Sequence, residues 1–143
     1  FHAIVDNSEI KPAVMQIELH PYAQRKYWQD MAKKYNIQME CWFPLGGEMS
    51  NGALLKDPTI QAIAKAHGKT PAQVIIRWHI QEGFSVIPGA TRHDYIKENI
   101  SVFDFSLTDK EMAQMRSLNK EKRFFNMDYK QAEQFVLNWK MDD

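Results

Sequence analysis

The order of the segments constrains this chain more than any other feature. Short runs in which apolar and polar residues alternate, the mark of strands, are separated by stretches of a dozen or more residues with helical spacing. From Pro12 the run AVMQIEL places Ala13, Met15 and Ile17 on one side and stops at His20-Pro21, because proline cannot continue a strand. Residues 37–43 alternate again and end at Pro44-Leu45-Gly46-Gly47, and residues 84–87 form a third apolar segment ended by Pro88-Gly89. Long connections between successive strands point to parallel pairing, since parallel neighbours need a crossover of a dozen or more residues. The expected class is α/β. Parallel strands are buried on both faces or closed into a barrel, so three of them make an unusually small sheet or belong to a larger one.

The helix signals between the strands are explicit. Tyr27, Met31 and Tyr35 give a stripe over residues 22–36, which Asn36 would end in a left-handed turn. Asp57-Pro58 and Thr70-Pro71 each set a capping side chain before a proline at the first helical position. The first helix carries Ile60, Ile63 and Ala64 to Gly68; the second carries Val74, Ile75 and Trp78 to Gly83. Ile96 and Ile100 space a helix within residues 91–102, and Thr108 with Glu111 makes a capping box ahead of Met112, Met115 and Leu118. Phe1, Ile4 and Val5 form an uncapped stripe, so the chain is expected to open inside an element. A basic patch at residues 120–123 leads into a tail with Phe124, Phe125, Tyr129, Phe135 and Trp139.

Composition narrows the partners. A chain of 143 residues supports one core. Eighteen Lys plus Arg balance eighteen Asp plus Glu, so no positive field gathers nucleic acid or an anionic membrane surface. No apolar run approaches the ~18 residues of a membrane helix. The lone Cys41 cannot form an internal disulfide, and with no leader visible the expected setting is cytoplasmic. No H-E-x-x-H, G-x-G-x-x-G or P-loop string occurs, and no metal site is expected.

The strings KPAVMQIELHPY, CWFPLG, LLKDPTIQAIAKAHGKTPAQVIIRWHIQEG, VIPGAT and IKENISVFDFSLTDKEM stand in one order at consistent spacing. Together they resemble the C-terminal half of an aldo-keto reductase, over about residues 11–118. The resemblance implies a partial TIM (β/α)8 barrel: strands 6–8 with their helices, residues 1–10 ending the helix before the sixth strand, and residues 118–143 forming a C-terminal extension near the substrate pocket. On this reading residues 1–143 are the half-barrel, and sites gather at the C-terminal ends of its strands. The family reduces aldehydes and ketones to alcohols with NADPH or NADH. Its catalytic tyrosine, lysine, aspartate and histidine lie in the other half, so no catalytic residue is implied here. His20 and Tyr22, in the His-Pro-Tyr string, are read as structural.

What the resemblance implies for this chain is the cofactor-holding side. Gln16 would bond the nicotinamide carboxamide, an amide being able both to donate and to accept; a structural strand glutamine is the alternative. Trp42 would stack on the nicotinamide, with core packing as the alternative. Leu45 and Gly46 would pass beside the pyrophosphate, glycine allowing close backbone approach. Glu98 and Asn99 would contact adenine, or be solvated helix positions. Gly89, Ala90 and Tyr95 replace the lysine, serine and arginine of the commonest family pattern, so Arg92, with Lys97, would have to serve a 2′-phosphate. NADPH is the expected cofactor, with NADH or dual use made more open by these replacements. Phe124 and Phe125 would cover the substrate pocket or merely tie down the tail. Small carbonyl substrates, and either a complementary N-terminal half or self-association, are the implied partners. The competing reading is a non-catalytic half-barrel binding or assembly module.

Overall fold

The computed structural model describes residues 1–138; Trp139, counted above among the tail aromatics, lies outside them. Three strands, β1 (Val14–Glu18), β2 (Gln38–Trp42) and β3 (Ser85–Val86), form one sheet in the order β1-β2-β3. Both pairings are parallel, as the long connections indicated, with Gln16 opposite Glu40, Glu18 opposite Trp42, and Glu40 opposite Ser85. The helices are α1 (His2–Val5), α2 (Lys26–Tyr35), α3 (Pro58–His67), α4 (Pro71–Gln81), α5 (His93–Ile100), α6 (Asp109–Ser117) and α7 (Tyr129–Leu137). None of the described helices is long and apolar enough to cross a membrane.

Side-chain alternation splits the sheet. Met15, Ile17, Met39 and Cys41 turn toward the helices and join a core with Leu54, Ile60, Ile75, Trp78 and Met115. Residues of the other parity, Gln16, Gln38, Glu40, Trp42 and Ser85, occupy a polar face, along which Gln16 and Gln38 are exposed. Of the two expected arrangements, burial on both faces is not met by these three strands, whose second face is partly open.

Local chemistry starts the helices where it was expected to. Asp57 accepts from the backbone N–H groups of Thr59 and Ile60, with Pro58 next to it. Thr70 with Gln73, and Thr108 with Glu111, close capping boxes. Besides the trimming of the third strand to Ser85–Val86, three differences from the sequence reading stand out. Helix α2 begins at Lys26 rather than at residue 22, because a bridge between His20 and Ala23 and a left-handed Arg25 (φ 57°) intervene. Its buried face accordingly runs through Trp28, Ala32 and Tyr35, and Tyr27 is 56% exposed. Strand β2 stops before Phe43, whose φ of 56° turns the chain away. The third difference is α7, in a tail read from sequence only as aromatic; Asp128 and Gln131 close a capping box at its start.

One core residue makes the fold acid-sensitive. His79 is fully buried, its Nδ1 2.7 Å from the Ile75 carbonyl oxygen and its Nε2 3.0 Å from that of Leu19. A neutral ring can donate to only one of them. Burial outweighs the pull of the two carbonyls and pushes its pKa down to about 4. The unfolded chain therefore takes up a proton that the native state refuses. Stability is full above pH ~6.5 and is lost as pH falls toward ~4, by about 3 kcal/mol from this residue. Urea unfolding at pH 7 and pH 4.5 should show this drop, and His79→Gln should remove most of the difference; an equal drop in the variant would assign the effect to other groups.

Candidate functional site

The C-terminal ends of β1 and β2 carry the densest polar and aromatic chemistry. Gln16, exposed on the polar face, donates from Nε2 to Glu40 Oε1 at 2.8 Å, and Ser85 Oγ donates to Glu40 Oε2 at 3.4 Å. A carboxylate only accepts, so the amide nitrogen of Gln16 is turned to Glu40 and its oxygen is left as an acceptor for a partner. Two positions along β2 from Glu40, the half-buried Trp42 packs edge-on against Phe125, ring centres 5.2 Å apart, and against Phe43 at 4.4 Å.

The tail reaches this place because Glu18 holds it. This carboxylate, 5% exposed, accepts from the backbone N–H of Phe124 at 2.6 Å, from that of Phe125 at 3.1 Å and contacts His20 Nε2 at 3.1 Å. Burial by itself would raise the Glu18 carboxyl; the bonds from His20, Phe124 and Phe125 together outweigh it and hold the group below the ordinary carboxylate value. The His20 ring lies 4.8 Å from that of Phe124. Farther along, the backbone N–H groups of Lys120 and Lys122 both donate to the Tyr22 carbonyl, and Gln24 Nε2 lies 3.0 Å from the carbonyl oxygens of Met115 and Arg116. Tyr22 donates to Asp57 at 2.7 Å, and burial followed by that carboxylate pushes its pKa up to about 12. His20 and Tyr22 are thus engaged in packing and bonding, as the sequence reading expected. The grip of Glu18 on the tail was not foreseen.

Gly46 sits against the same tail. Its φ is +81°, and a Cβ there would lie 2.8 Å from Ser50 Cβ and 3.0 Å from Phe124 Cε2, so only glycine lets the loop pass this closely. Leu45, beside it, faces a second place: a cavity of about 260 Å³ lined in part by Leu45, Gly89, Tyr95, Glu98 and Asn99. Glu98 is held there by Thr70, whose hydroxyl donates to its Oε1. Arg92 packs on Tyr95, its guanidinium carbon 4.4 Å from the centre of that ring.

The residues singled out in the sequence therefore fall into two neighbourhoods. Trp42, Gly46, Phe124 and Phe125 meet at the strand ends, while Gln16 stands in the middle of β1 bonded to Glu40; Leu45, Glu98 and Asn99 line the cavity, with Arg92 over its Tyr95 wall. Tyr95, noted in the sequence as the replacement of a family arginine, lines the cavity; Glu18, Glu40 and Asp94 also matter here and were not among the residues singled out. Among the described residues no group of His, Cys, Asp or Glu is arranged to hold a metal.

A parallel α/β sheet presenting polar and aromatic side chains at its strand ends is the architecture of a ligand-binding enzyme scaffold. The sequence model described as the "Aldo/keto reductase family" matches residues 2–120, and the chain belongs to that family of nicotinamide-dependent oxidoreductases. It is 45% identical over 115 residues to a 9,11-endoperoxide prostaglandin H2 reductase of Trypanosoma cruzi, covering 80% of this chain and 40% of that protein. It is 42% identical over 125 residues to a morphine 6-dehydrogenase of Pseudomonas putida, covering 81% and 42%. Among solved structures, a variant of Gox0644 in complex with NADPH superposes with a TM-score of 0.79 at 37% identity, over 92% of this chain and 46% of the other. An aldo-keto reductase from a deep-sea metagenome library gives 0.81 at 38%, over 88% and 48%. The chain thus spans about two fifths of the length of the curated relatives it matches.

Proposed function

We propose that this chain forms the sixth to eighth strands of a (β/α)8 barrel and holds a nicotinamide dinucleotide, NADPH by preference, for the reduction of aldehydes and ketones. The observation that carries the reading is the placement of Gln16 and Trp42 on one face of the sheet, with Gly46 just beyond the end of β2 and a cavity lined by Leu45, Glu98 and Asn99 next to it. The donor set fits the group. Gln16 keeps its amide oxygen toward a carboxamide N–H₂ and Trp42 offers an indole face; Gly46, whose missing Cβ faces Ser50 and Phe124, would meet a pyrophosphate through its backbone alone. The cavity volume falls below the ~300 Å³ of drug-sized pockets, which suits one ring system and not a whole dinucleotide.

When bound, the dinucleotide supplies a hydride. The residues here bind and orient it, exclude water through Trp42, and cover the strand ends with Phe124 and Phe125, against which a small carbonyl substrate would rest. No proton donor is assigned to this chain, so the reading requires one from a complementary N-terminal half. One observation supports such association: beside the open edge of β3, Ile76, Ile80, Val86, Ile96, Ile100 and Phe103 line an apolar groove of about 290 Å³. Phe103 is 69% exposed and Ile100 68%, leaving apolar surface that a further strand and helix, or a second copy, would cover.

The test is a fluorescence titration with NADPH. Trp42→Ala should weaken binding by about 1–3 kcal/mol, the size of a base stacking on an aromatic ring, and Gln16→Leu should weaken it by about 1 kcal/mol through the lost hydrogen bond. Unchanged affinity in both variants overturns the assignment and favours an assembly module without a cofactor.

A further inference from the structure

One carboxylate on the polar face ties all three strands together. Glu40 stands in the middle of β2, opposite Gln16 of β1 and opposite Ser85 of β3. Its Oε1 accepts from Gln16 Nε2 at 2.8 Å and its Oε2 from Ser85 Oγ at 3.4 Å, so the group is held from both flanks. A primary amide can be turned end for end with almost no change of shape, but the reversed form would set the Gln16 oxygen against the carboxylate, acceptor against acceptor. The native form is the strong one. A hydrogen bond to an ionised acceptor is roughly twice as strong as one between neutral groups. Gln16 Oε1 is thereby turned away from Glu40, and among the described residues it receives no hydrogen bond.

We propose that Glu40 is a positioning residue: by claiming the amide nitrogen of Gln16 it presents the amide oxygen, and so makes this face select a ring bearing a hydrogen-bond donor, the N–H₂ of a carboxamide, over the same ring bearing an acceptor alone. The inference rests on the reading that the nicotinamide lies against Gln16 and Trp42. A glutamine free to turn would serve both substituents, offering its oxygen to one and its nitrogen to the other. Glu40 removes that choice. Ser85 supports it from the far side by holding the second carboxylate oxygen. Because Trp42 follows Glu40 by two positions on the same strand, the oriented amide and the indole share one face, and the amide sets which edge of a stacked ring finds a partner.

The test compares NADPH with its reduced 3-acetylpyridine analogue, in which a methyl group replaces the carboxamide nitrogen. Both carry the same charge, so the ratio of their affinities for the whole chain, read by fluorescence titration, is insensitive to a general change in the protein or its field. The native chain should favour NADPH roughly three- to tenfold, the scale of one net hydrogen bond. Glu40→Lys puts a group that only donates where one that only accepts stood; it should draw the Gln16 oxygen inward, present the nitrogen and abolish the preference. Glu40→Ala removes the lock without reversing it, and should leave a preference smaller than the native one even if lysine disturbs the sheet. If the native chain binds neither dinucleotide, the cofactor reading falls and the inference with it. If it binds both equally, or if the native preference survives Glu40→Ala, the inference alone falls, because Gln16 is then not selecting the carboxamide or is oriented without Glu40.

Discussion

Glu18→Ala should detach the tail and cost about 3–5 kcal/mol, the penalty for breaking a buried hydrogen-bonded pair by removing one member. The carboxylate is nearly inaccessible and serves the N–H groups of Phe124 and Phe125 and the ring of His20 at once. Alanine leaves all of them without that acceptor. Glu18→Gln keeps one acceptor oxygen and the volume, so it should recover a large part of the loss. Hydrogen exchange at the Phe124 and Phe125 amides gives the local readout: fast in the alanine variant, intermediate in glutamine, slow in the native chain. Exchange that stays slow in the alanine variant would show that aromatic packing on Trp42 and His20 holds the tail unaided. Acid should act in the same direction. The folded carboxyl lies below its ordinary value, so its contribution is complete above about pH 4.5 and disappears as pH falls through the lowered pKa.

The second large effect belongs to the core. Trp78, 1% exposed, is among the largest fully buried side chains and sits edge-on to His79 with ring centres 4.7 Å apart. Trp78→Ala should cost about 3–5 kcal/mol through lost transfer energy and the cavity left behind. Trp78→Phe should be far milder. The indole N–H has no hydrogen-bond partner, so phenylalanine keeps much of the ring contact and deletes an unsatisfied donor, itself a cost of about 1–3 kcal/mol. Chemical denaturation of the two variants side by side would test this; equal losses would mean that the indole N–H is satisfied or that the second ring cannot be spared.

How much of this was legible from sequence depends on the range of the interaction. The starts of α3, α4 and α6 were legible because a cap and its partner lie within three residues of each other. The Asp128–Gln131 box of α7 has the same range, but the dense aromatic residues around it drew the reading elsewhere. The buried stripe of α2 was read correctly at Tyr35 but one residue early before it, Trp28 and Ala32 standing where Tyr27 and Met31 were expected, since the helix starts only after the left-handed turn at Arg25, a bulky residue of a type that does not announce that conformation. Strand β3 pairs through Ser85 and Val86 only, because its extent is decided by β2 and not by its own composition. Of the candidate site, Gln16, Trp42 and the glycine loop were reached through family resemblance. The hold of Glu18 on Phe124 and Phe125 was not, because its donors are backbone N–H groups, which every residue but proline carries, and they lie 106 and 107 positions away.

That separation sets a schedule for assembly. The segment that binds Glu18, Tyr22 and Gln24 is synthesised about a hundred residues after them. At translation rates of ~5–20 residues per second, the waiting time is roughly 5–20 s, far longer than a hairpin or helix needs to form. During that interval the carboxylate must remain solvated or borrow a transient donor, and the aromatic face of Trp42 stays open. Docking of residues 119–125 is then a late tertiary event, followed by the packing of Phe135 on Phe125, and a ribosome pausing shortly before Phe124 would hold a nascent sheet whose strand ends are still uncovered.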